Sequence, residues 1–186
     1  MRTERLLLRR WDPYDEGDVA SAYDIYRRDE VARWLGATPQ PWPSPAAARA
    51  RLERWAGVEA ERPGYGLWAV VPDEVGRPVG TVLLVPLPDA DGRPTQDIEI
   101  GWHFHPDHWG HGYATEAAEA LLAHAFGDLG LGRVNAVAYA GNTASFAVMQ
   151  RLGMTRQGTT DRWYGTTFEW WAGGPGAGEG ATGTAL

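Results

Sequence analysis

The most constraining stretch of this chain is residues 97–130, because the period of its hydrophobic pattern changes within a few positions. Over residues 97–104 apolar and more polar side chains alternate, which predicts a β-strand. From Gly112 to about Gly130 apolar side chains recur at three- and four-residue spacing, which predicts an amphipathic helix. A strand must therefore pass directly into a helix through a short turn that carries two glycines.

The turn, residues 109–114, has the features of an anion-binding site. The first N–H groups of a helix have no acceptor within it and lie at the positive end of its dipole. Gly110 and Gly112 allow the backbone to approach an anion closely. A Walker A loop is excluded because no Gly-Lys-Ser/Thr follows, and a dinucleotide fingerprint is excluded because Thr115 stands at the third glycine position. An ordinary helix start is the alternative interpretation.

A metal site is a competing interpretation of the same segment, since it holds four of the five histidines. These are His103, His105, His108 and His111. The string over residues 103–108 matches the first zinc-ligand run of metallo-β-lactamase-type hydrolases, and histidine is a good zinc ligand. Such a site needs further ligands downstream, and only His124 follows, in the middle of a predicted helix. We therefore assign no metal ligand and keep a zinc hydrolase only as an alternative.

The rest of the chain alternates strand and helix patterns, which predicts one α+β domain. Strands are predicted over residues 5–10, 65–71, 79–85, 133–139, 154–158 and 162–171. Helices are predicted up to about residue 27, over 46–61 behind a Ser44 cap, and from an Asn142 cap to 152, with a short helical turn over 29–35. Residues 173–186 are rich in glycine, which predicts a flexible tail after a domain spanning residues 1–172.

Charge and composition limit the possible partners. A net charge of −7 argues against nucleic acid, whose binding depends on basic patches. No apolar run approaches the roughly 18 residues that a membrane helix needs. The first residues lack the apolar stretch of a signal peptide, so we expect a cytoplasmic protein without a membrane partner. The absence of cysteine excludes disulfides and thiol chemistry.

Four stretches in a fixed order resemble the GNAT superfamily of N-acetyltransferases. They are TERLLLR at residues 3–9, IEIGW at 98–102, WGHGYATEA at 109–117, and the segment from NTAS at 142–145 to Met154. The branch that is most similar contains the ribosomal-protein N-terminal (alanine/serine) acetyltransferases and many small-molecule acetyltransferases. The resemblance implies the GNAT fold, a central, mostly antiparallel, twisted sheet of about six or seven strands with helices on both faces.

The resemblance also implies acetyl-CoA as co-substrate. Backbone N–H groups of residues 111–115 should hold the pyrophosphate, and the pantetheine arm should pair with the strand backbone over 102–105. His111 stands where this branch often has Lys or Arg, so a permanent charge beside the phosphates is lost. The implied cofactor-binding residues are Trp102, His103, Phe104, His105, Trp109, Gly110, His111, Gly112, Tyr113, Ala114, Thr115, Asn142, Ser145 and Arg151.

Acetyl transfer needs a base for the amine, a donor for the developing oxyanion and an acid for the leaving thiolate. Glu99 is the candidate base, and its alternative role is an ion pair with an arginine of a neighbouring strand. His103, on the same strand face, is the second candidate base, and the N–H of His103 or Phe104 is the candidate oxyanion donor. Many relatives protonate the thiolate with a tyrosine at the position of Met149. Ser145 is the candidate acid here, with Tyr139 and Tyr164 as substitutes.

The acceptor pocket of this fold is usually built from the first helices and the last hairpin. In this chain those segments carry Trp34, Trp42, Trp163, Trp170 and Trp171, and an aromatic, acidic pocket suits a cationic amine. We therefore expect an N-acetyltransferase that moves an acetyl group to a small-molecule amine or a protein N-terminus, acting as a monomer or homodimer. A non-catalytic acyl-CoA-binding module on the same fold is the alternative.

Overall fold

The computed structural model describes residues 1–176, which form one seven-stranded sheet and five helices. The strands are β1 (Leu6–Arg10), β2 (Gly66–Pro72), β3 (Gly80–Pro88), β4 (Pro94–Phe104), β5 (Val134–Ala138), β6 (Thr155–Thr160) and β7 (Phe168–Gly173). The helices are α1 (Glu16–Tyr26), α2 (Asp29–Ala32), α3 (Pro45–Glu61), α4 (Tyr113–Ala123) and α5 (Thr143–Arg151). Gly173 closes β7, and residues 177–186, most of the predicted tail, lie outside the described residues.

The strand order is β1-β2-β3-β4-β5-β7-β6, and every neighbouring pair is antiparallel except β4 and β5. These two parallel strands are joined by a single residue pair, Glu99 with Asn135. The Asn135 side chain strengthens this junction by donating to the carbonyl oxygen of Ile98 at 3.2 Å. Beyond Glu99 the two strands separate, so the last residues of β4 present an open edge towards β5.

The phase of the β3–β4 ladder determines which backbone groups face this open edge. Just past the end of β4, the N–H of His105 donates to the carbonyl oxygen of Val79 at 2.9 Å. Because alternate residues of an antiparallel strand face alternate edges, the N–H of His103 points towards β3 as well. The N–H groups of Trp102 and Phe104 therefore point into the gap between β4 and β5.

Apolar side chains cover both faces of the sheet. On one face, α4 and α5 pack on the predicted alternating residues of β4, including Ile98 and Ile100. On the other face, α1, α2 and α3 enclose a cluster that contains Tyr26 and Trp42. The predicted α+β fold, with a mostly antiparallel sheet and helices on both faces, is confirmed.

Some predicted elements have different bounds in the structure. The predicted helix after Gly112 continues past Ala123 as a π-helical turn over His124–Asp128. The last strand begins at Phe168 rather than at residue 162, because the preceding segment turns at Tyr164, which has a φ of 60°. Within residues 1–176 no helix combines the length and apolarity needed to cross a bilayer.

Candidate active site

A cavity of about 1270 Å³ opens where β4 and β5 separate. One wall is the end of β4 with the turn that leads into α4, and a second wall is one side of α5 with the two residues before it. The third wall is α2 with the residues after it, including Trp34 and Leu35. The cavity therefore lies against the strand–turn–helix segment singled out by the change of period in the sequence.

The turn before α4 presents unpaired backbone donors to this cavity. Gly110 and Gly112 have φ values of 79° and 80°, and Gly112 is the N-cap of α4. Among the described residues, no acceptor forms a hydrogen bond with the N–H groups of residues 111–115. Such a set of N–H groups at a helix start binds phosphate without further help from side chains. The geometry of this turn thus suits a pyrophosphate group.

Arg5 lies beside the turn, a position that sequence reasoning did not identify as part of the site. Its Nη2 is 2.6 Å from Oε2 of Glu116, and its guanidinium carbon is 5.3 Å from the centre of the Tyr113 ring. Thr3 donates to the other Glu116 oxygen at 2.6 Å. Residue 5 and residue 116 are 111 positions apart, so no local sequence pattern could indicate the contact.

The open edge of β4 agrees with only part of the predicted arm-binding backbone. Trp102 and Phe104 direct their N–H groups into the gap, and the indole N–H of Trp109 donates to the Phe104 carbonyl oxygen at 2.8 Å. His105 does not present its N–H to the gap, because that group is bonded to Val79 and the ring is buried beside Asp24. The backbone of His103 faces β3, so its N–H is excluded as the oxyanion donor and Phe104 keeps that candidate role.

Helix α5 and its N-cap bring three predicted cofactor-binding residues to the cavity, namely Asn142, Ser145 and, at the end of the helix, Arg151. Asn142 acts first as the helix N-cap, because its Oδ1 accepts the N–H of Ser145 at 3.2 Å. Within the described chain the Ser145 hydroxyl has no side-chain or backbone partner, which leaves it free to donate into the cavity. Met149 is 2% exposed and belongs to the core.

Glu99 is buried and does not line the cavity. The alternative of an arginine partner is not found in the described chain, because the group that contacts Glu99 is the phenol of Tyr164, which donates to Oε2 at 2.5 Å. Burial raises the pKa of Glu99 to about 7, against a smaller lowering by this hydrogen bond. Burial and the carboxylate also raise the pKa of Tyr164, so the phenol keeps its proton.

His103 is half-buried and lines the cavity directly. Its Nδ1 is 3.1 Å from the hydroxyl of Tyr26, which in turn donates to Thr81 Oγ1 at 2.7 Å. Burial lowers the pKa of His103 to about 4, so the ring is neutral at neutral pH. Of the two candidate bases, His103 is the one that the cavity reaches.

Most of the predicted acceptor tryptophans belong to the core instead. Trp42, Trp163 and Trp171 are 6%, 1% and 7% exposed, and none of them lines the cavity. Trp170 is tied to Asn135, whose Oδ1 accepts its indole N–H at 3.0 Å. Of the five predicted acceptor tryptophans, only Trp34 forms part of the cavity wall, which also includes the exposed residue Glu30.

The histidines of the segment form a chain of rings rather than a coordination sphere. The ring centres of His105 and His108 are 5.9 Å apart, and those of His108 and His111 are 6.1 Å apart. Over residues 1–176, no three histidine or acidic side chains converge on one point in a way that could hold a metal ion.

Comparison with known proteins agrees with this geometry. A family model described as an acetyltransferase (GNAT) domain matches residues 5–155. The uncharacterized N-acetyltransferase YoaA of Bacillus subtilis (strain 168) is 27% identical over 158 residues, which cover 85% of this chain and 84% of that protein.

Two solved structures have the same fold. A GNAT-family acetyltransferase from Bacillus anthracis has a TM-score of 0.74 at 22% identity, covering 94% of this chain and 97% of that one. The structure of AAC(6')-Ib in complex with ribostamycin and coenzyme A has a TM-score of 0.72 at 19% identity, covering 98% and 100% of the two chains.

Proposed function

This chain belongs to the GNAT acetyltransferase family and is an acetyl-CoA-dependent acyltransferase, and we propose that its acceptor is a small cationic amine or a protein N-terminus. Transfer occurs by direct attack of the amine on the thioester, without an acyl-enzyme. The chain has no cysteine that could form a thioester of its own. The single observation that carries the assignment of acetyl-CoA to this cavity is the set of unpaired N–H groups over residues 111–115, which line it.

The described residues fit acetyl-CoA, the acetyl donor, along the whole length of the cavity. The diphosphate would accept hydrogen bonds from the turn before α4, with the guanidinium of Arg5 beside it. The open edge of β4 at Trp102 and Phe104 would bond the amide groups of the pantetheine arm as an added strand does. The thioester would then lie where the two strands part, close to His103 and Ser145.

The chemistry of the step assigns one role to each of the candidate side chains. The attacking nitrogen forms the new C–N bond and the C–S bond breaks. The nitrogen loses one proton, and the leaving sulfur gains one. Glu99 or His103 takes the proton from nitrogen, and the Ser145 hydroxyl donates one to the thiolate. The Phe104 N–H stabilises the oxyanion that develops between these events.

The acceptor class rests on the third wall of the cavity. Glu30 and Trp34 contribute a carboxylate and an aromatic ring to the same wall, and both groups favour a cationic amine. The branch that the sequence motifs resemble suggests a protein N-terminus, and the AAC(6')-Ib structure, which holds ribostamycin together with coenzyme A, suggests a small molecule. Both are primary-amine acceptors, so one assay covers them.

The proposed function is tested by incubating the protein with acetyl-CoA and a panel of polyamines, aminoglycosides and short peptides. Thiol release together with an acetylated product in the mass spectrum is the expected result. Binding of coenzyme A without transfer to any acceptor would instead support the non-catalytic module.

Gly112→Ala tests the phosphate site separately, with Gly76→Ala as its control. Both glycines have positive φ values, 80° and 71°, so both substitutions strain a turn. Only residue 112 adjoins the cavity, and a Cβ there would approach Nη2 of Arg5 to 3.5 Å. We expect both variants to lose stability and only Gly112→Ala to lose affinity for coenzyme A.

A further inference from the structure

We propose that His103 is the catalytic base of this enzyme and that Tyr26 and Thr81 are positioning residues that fix its tautomer. The inference rests on the proposed acetyl transfer and deepens it, because it chooses between two candidate bases and adds two residues that no motif indicates. It is carried by the hydrogen bonds that join three side chains between the sheet and α1.

The three side chains meet because of the strand register. Thr81 of β3 and His103 of β4 are directly opposite each other, so their side chains lie side by side on one face of the sheet. The hydroxyl of Tyr26, at the end of α1, reaches both of them, at 2.7 Å from Thr81 Oγ1 and 3.1 Å from His103 Nδ1.

The number of protons on the phenol decides which ring nitrogen of His103 is free. A tyrosine hydroxyl has one proton, and the proposed arrangement assigns that proton to the 2.7 Å bond with Thr81. Its oxygen can then only accept from the imidazole, which requires the proton of the neutral His103 ring to be on Nδ1. Nε2 is therefore an unprotonated nitrogen with a lone pair.

Tyr26 is held rigidly enough to impose this choice. Its ring stacks on Trp42 with a centroid distance of 4.2 Å and meets Trp55 edge-on at 5.6 Å. Tyr26 and Thr81 are 1% and 0% exposed, so water does not compete for their hydroxyl groups. Burial also raises the pKa of Tyr26, which keeps the phenol protonated.

The free nitrogen of His103 faces the cavity. In the described chain Nε2 has no hydrogen-bond partner, and it is not one of the buried polar atoms left without a partner, so it is reached from the cavity. Glu99 differs because it is absent from the cavity wall, and its Oε2 accepts the hydrogen bond of Tyr164. Of the two candidate bases, His103 is therefore the one whose side chain reaches the cavity.

The step balances without any further reagent. As the acceptor nitrogen bonds to the carbonyl carbon, its proton passes to Nε2 and makes the ring an imidazolium. The electron pair of the C–S bond goes to sulfur, and the thiolate takes a proton from Ser145. The imidazolium returns its proton through solvent to the serine, which leaves acetylated amine, coenzyme A thiol and the original enzyme.

The tautomer is measured directly by NMR on protein with ¹⁵N-labelled histidine and no ligand. We expect the His103 signals, assigned by their loss in His103→Asn, to show a protonated Nδ1 and a bare Nε2. In Tyr26→Phe the proton should redistribute towards Nε2, whereas Tyr23→Phe, the matched control on the same helix, should leave the signals unchanged. A wild-type ring protonated on Nε2 would overturn the inference.

Kinetics test the catalytic role. We expect His103→Asn to lower kcat by about a hundredfold or more, and Tyr26→Phe to lower it about tenfold, while the affinity for coenzyme A and the activity of Tyr23→Phe stay near wild type. Added imidazole should restore part of the activity of His103→Ala. A wild-type protein that acetylates no amine would overturn the proposed function. An active wild type whose His103→Asn variant keeps its kcat would overturn this inference alone.

Discussion

Tyr164 donates a 2.5 Å hydrogen bond to Oε2 of Glu99, although 65 residues separate the two in the chain. In residues 1–176 no cationic side chain forms an ion pair with this carboxyl group. With a pKa of about 7, Glu99 is about half protonated near neutral pH. The ionisation of Glu99 therefore affects the free energy of unfolding, and it would also affect kcat if Glu99 were the catalytic base. The two effects can be measured separately.

Glu99→Gln should change how stability depends on pH. Because burial raises the pKa of Glu99 in the folded protein above the ordinary 4.5, its contribution to stability is complete below about 4.5 and is lost as the pH rises through about 7. The loss amounts to at most about 3 kcal/mol. The variant should lack this dependence, so chemical denaturation at a series of pH values should show its advantage growing across that window. The exposed control Glu61→Gln should follow the wild type, and parallel curves for all three proteins would contradict the prediction.

The pH profile of catalysis distinguishes the two candidate bases. With an aniline-type acceptor, whose nitrogen is already neutral in this range, a His103 base predicts a kcat that stays constant as the pH falls through about 7. The rate should decline only on approaching the His103 pKa of about 4, where the ring gains a proton. An acid limb centred near 7 would identify Glu99 instead.

Trp109→Phe should weaken the binding of coenzyme A about two- to tenfold. The half-exposed indole donates to the Phe104 carbonyl oxygen, and this bond holds the turn before α4 against the end of β4. Phenylalanine preserves an aromatic ring and removes the donor. Isothermal titration with coenzyme A measures the effect, and an unchanged affinity would show that the turn keeps its shape without the bond.

Arg5→Met should lower the affinity for coenzyme A with little change in the thermal midpoint. The Arg5 side chain is half exposed, so its ion pair with Glu116 contributes little to folding, but its charge lies beside the proposed diphosphate site. The affinity of the variant should also depend less steeply on salt, because one screened attraction is gone. Arg2→Met, which removes an exposed ion pair to Asp73 outside the cavity wall, is the control.

The parts of the fold that depend on local pattern could be predicted from the sequence. The alternation over residues 97–104 and the Asn142 cap correspond to β4 and the start of α5, since both signals involve neighbouring residues. The register that turns the N–H of His105 towards Val79 could not be predicted, because it depends on the partner strand. Contacts such as Tyr26 with His103 join residues 77 positions apart and leave no trace in any short window.

The tryptophans show a second limit of sequence reasoning. A large aromatic side chain fills a core and lines a binding cavity for the same physical reason, so its identity does not tell the two apart. Trp163 is 1% exposed and donates its indole N–H to Asp97 at 3.2 Å, whereas Trp34 lines the cavity wall. Only the course of the chain around each ring separates these cases.

The pairing of Glu99 with Asn135 is the single ladder pair that joins the two halves of the sheet. Strands β1 to β4 form one half and strands β5 to β7 form the other. Beyond the Glu99–Asn135 pair, neither half supplies backbone hydrogen-bond partners for the facing edge strand of the other. A ligand bound between the two halves would form hydrogen bonds with the open edge of β4 and would connect the halves at a second point. Ligand binding between the two halves should therefore make the whole sheet more rigid. Slower amide hydrogen exchange at Trp102 and Phe104 would report both the binding and the increased rigidity.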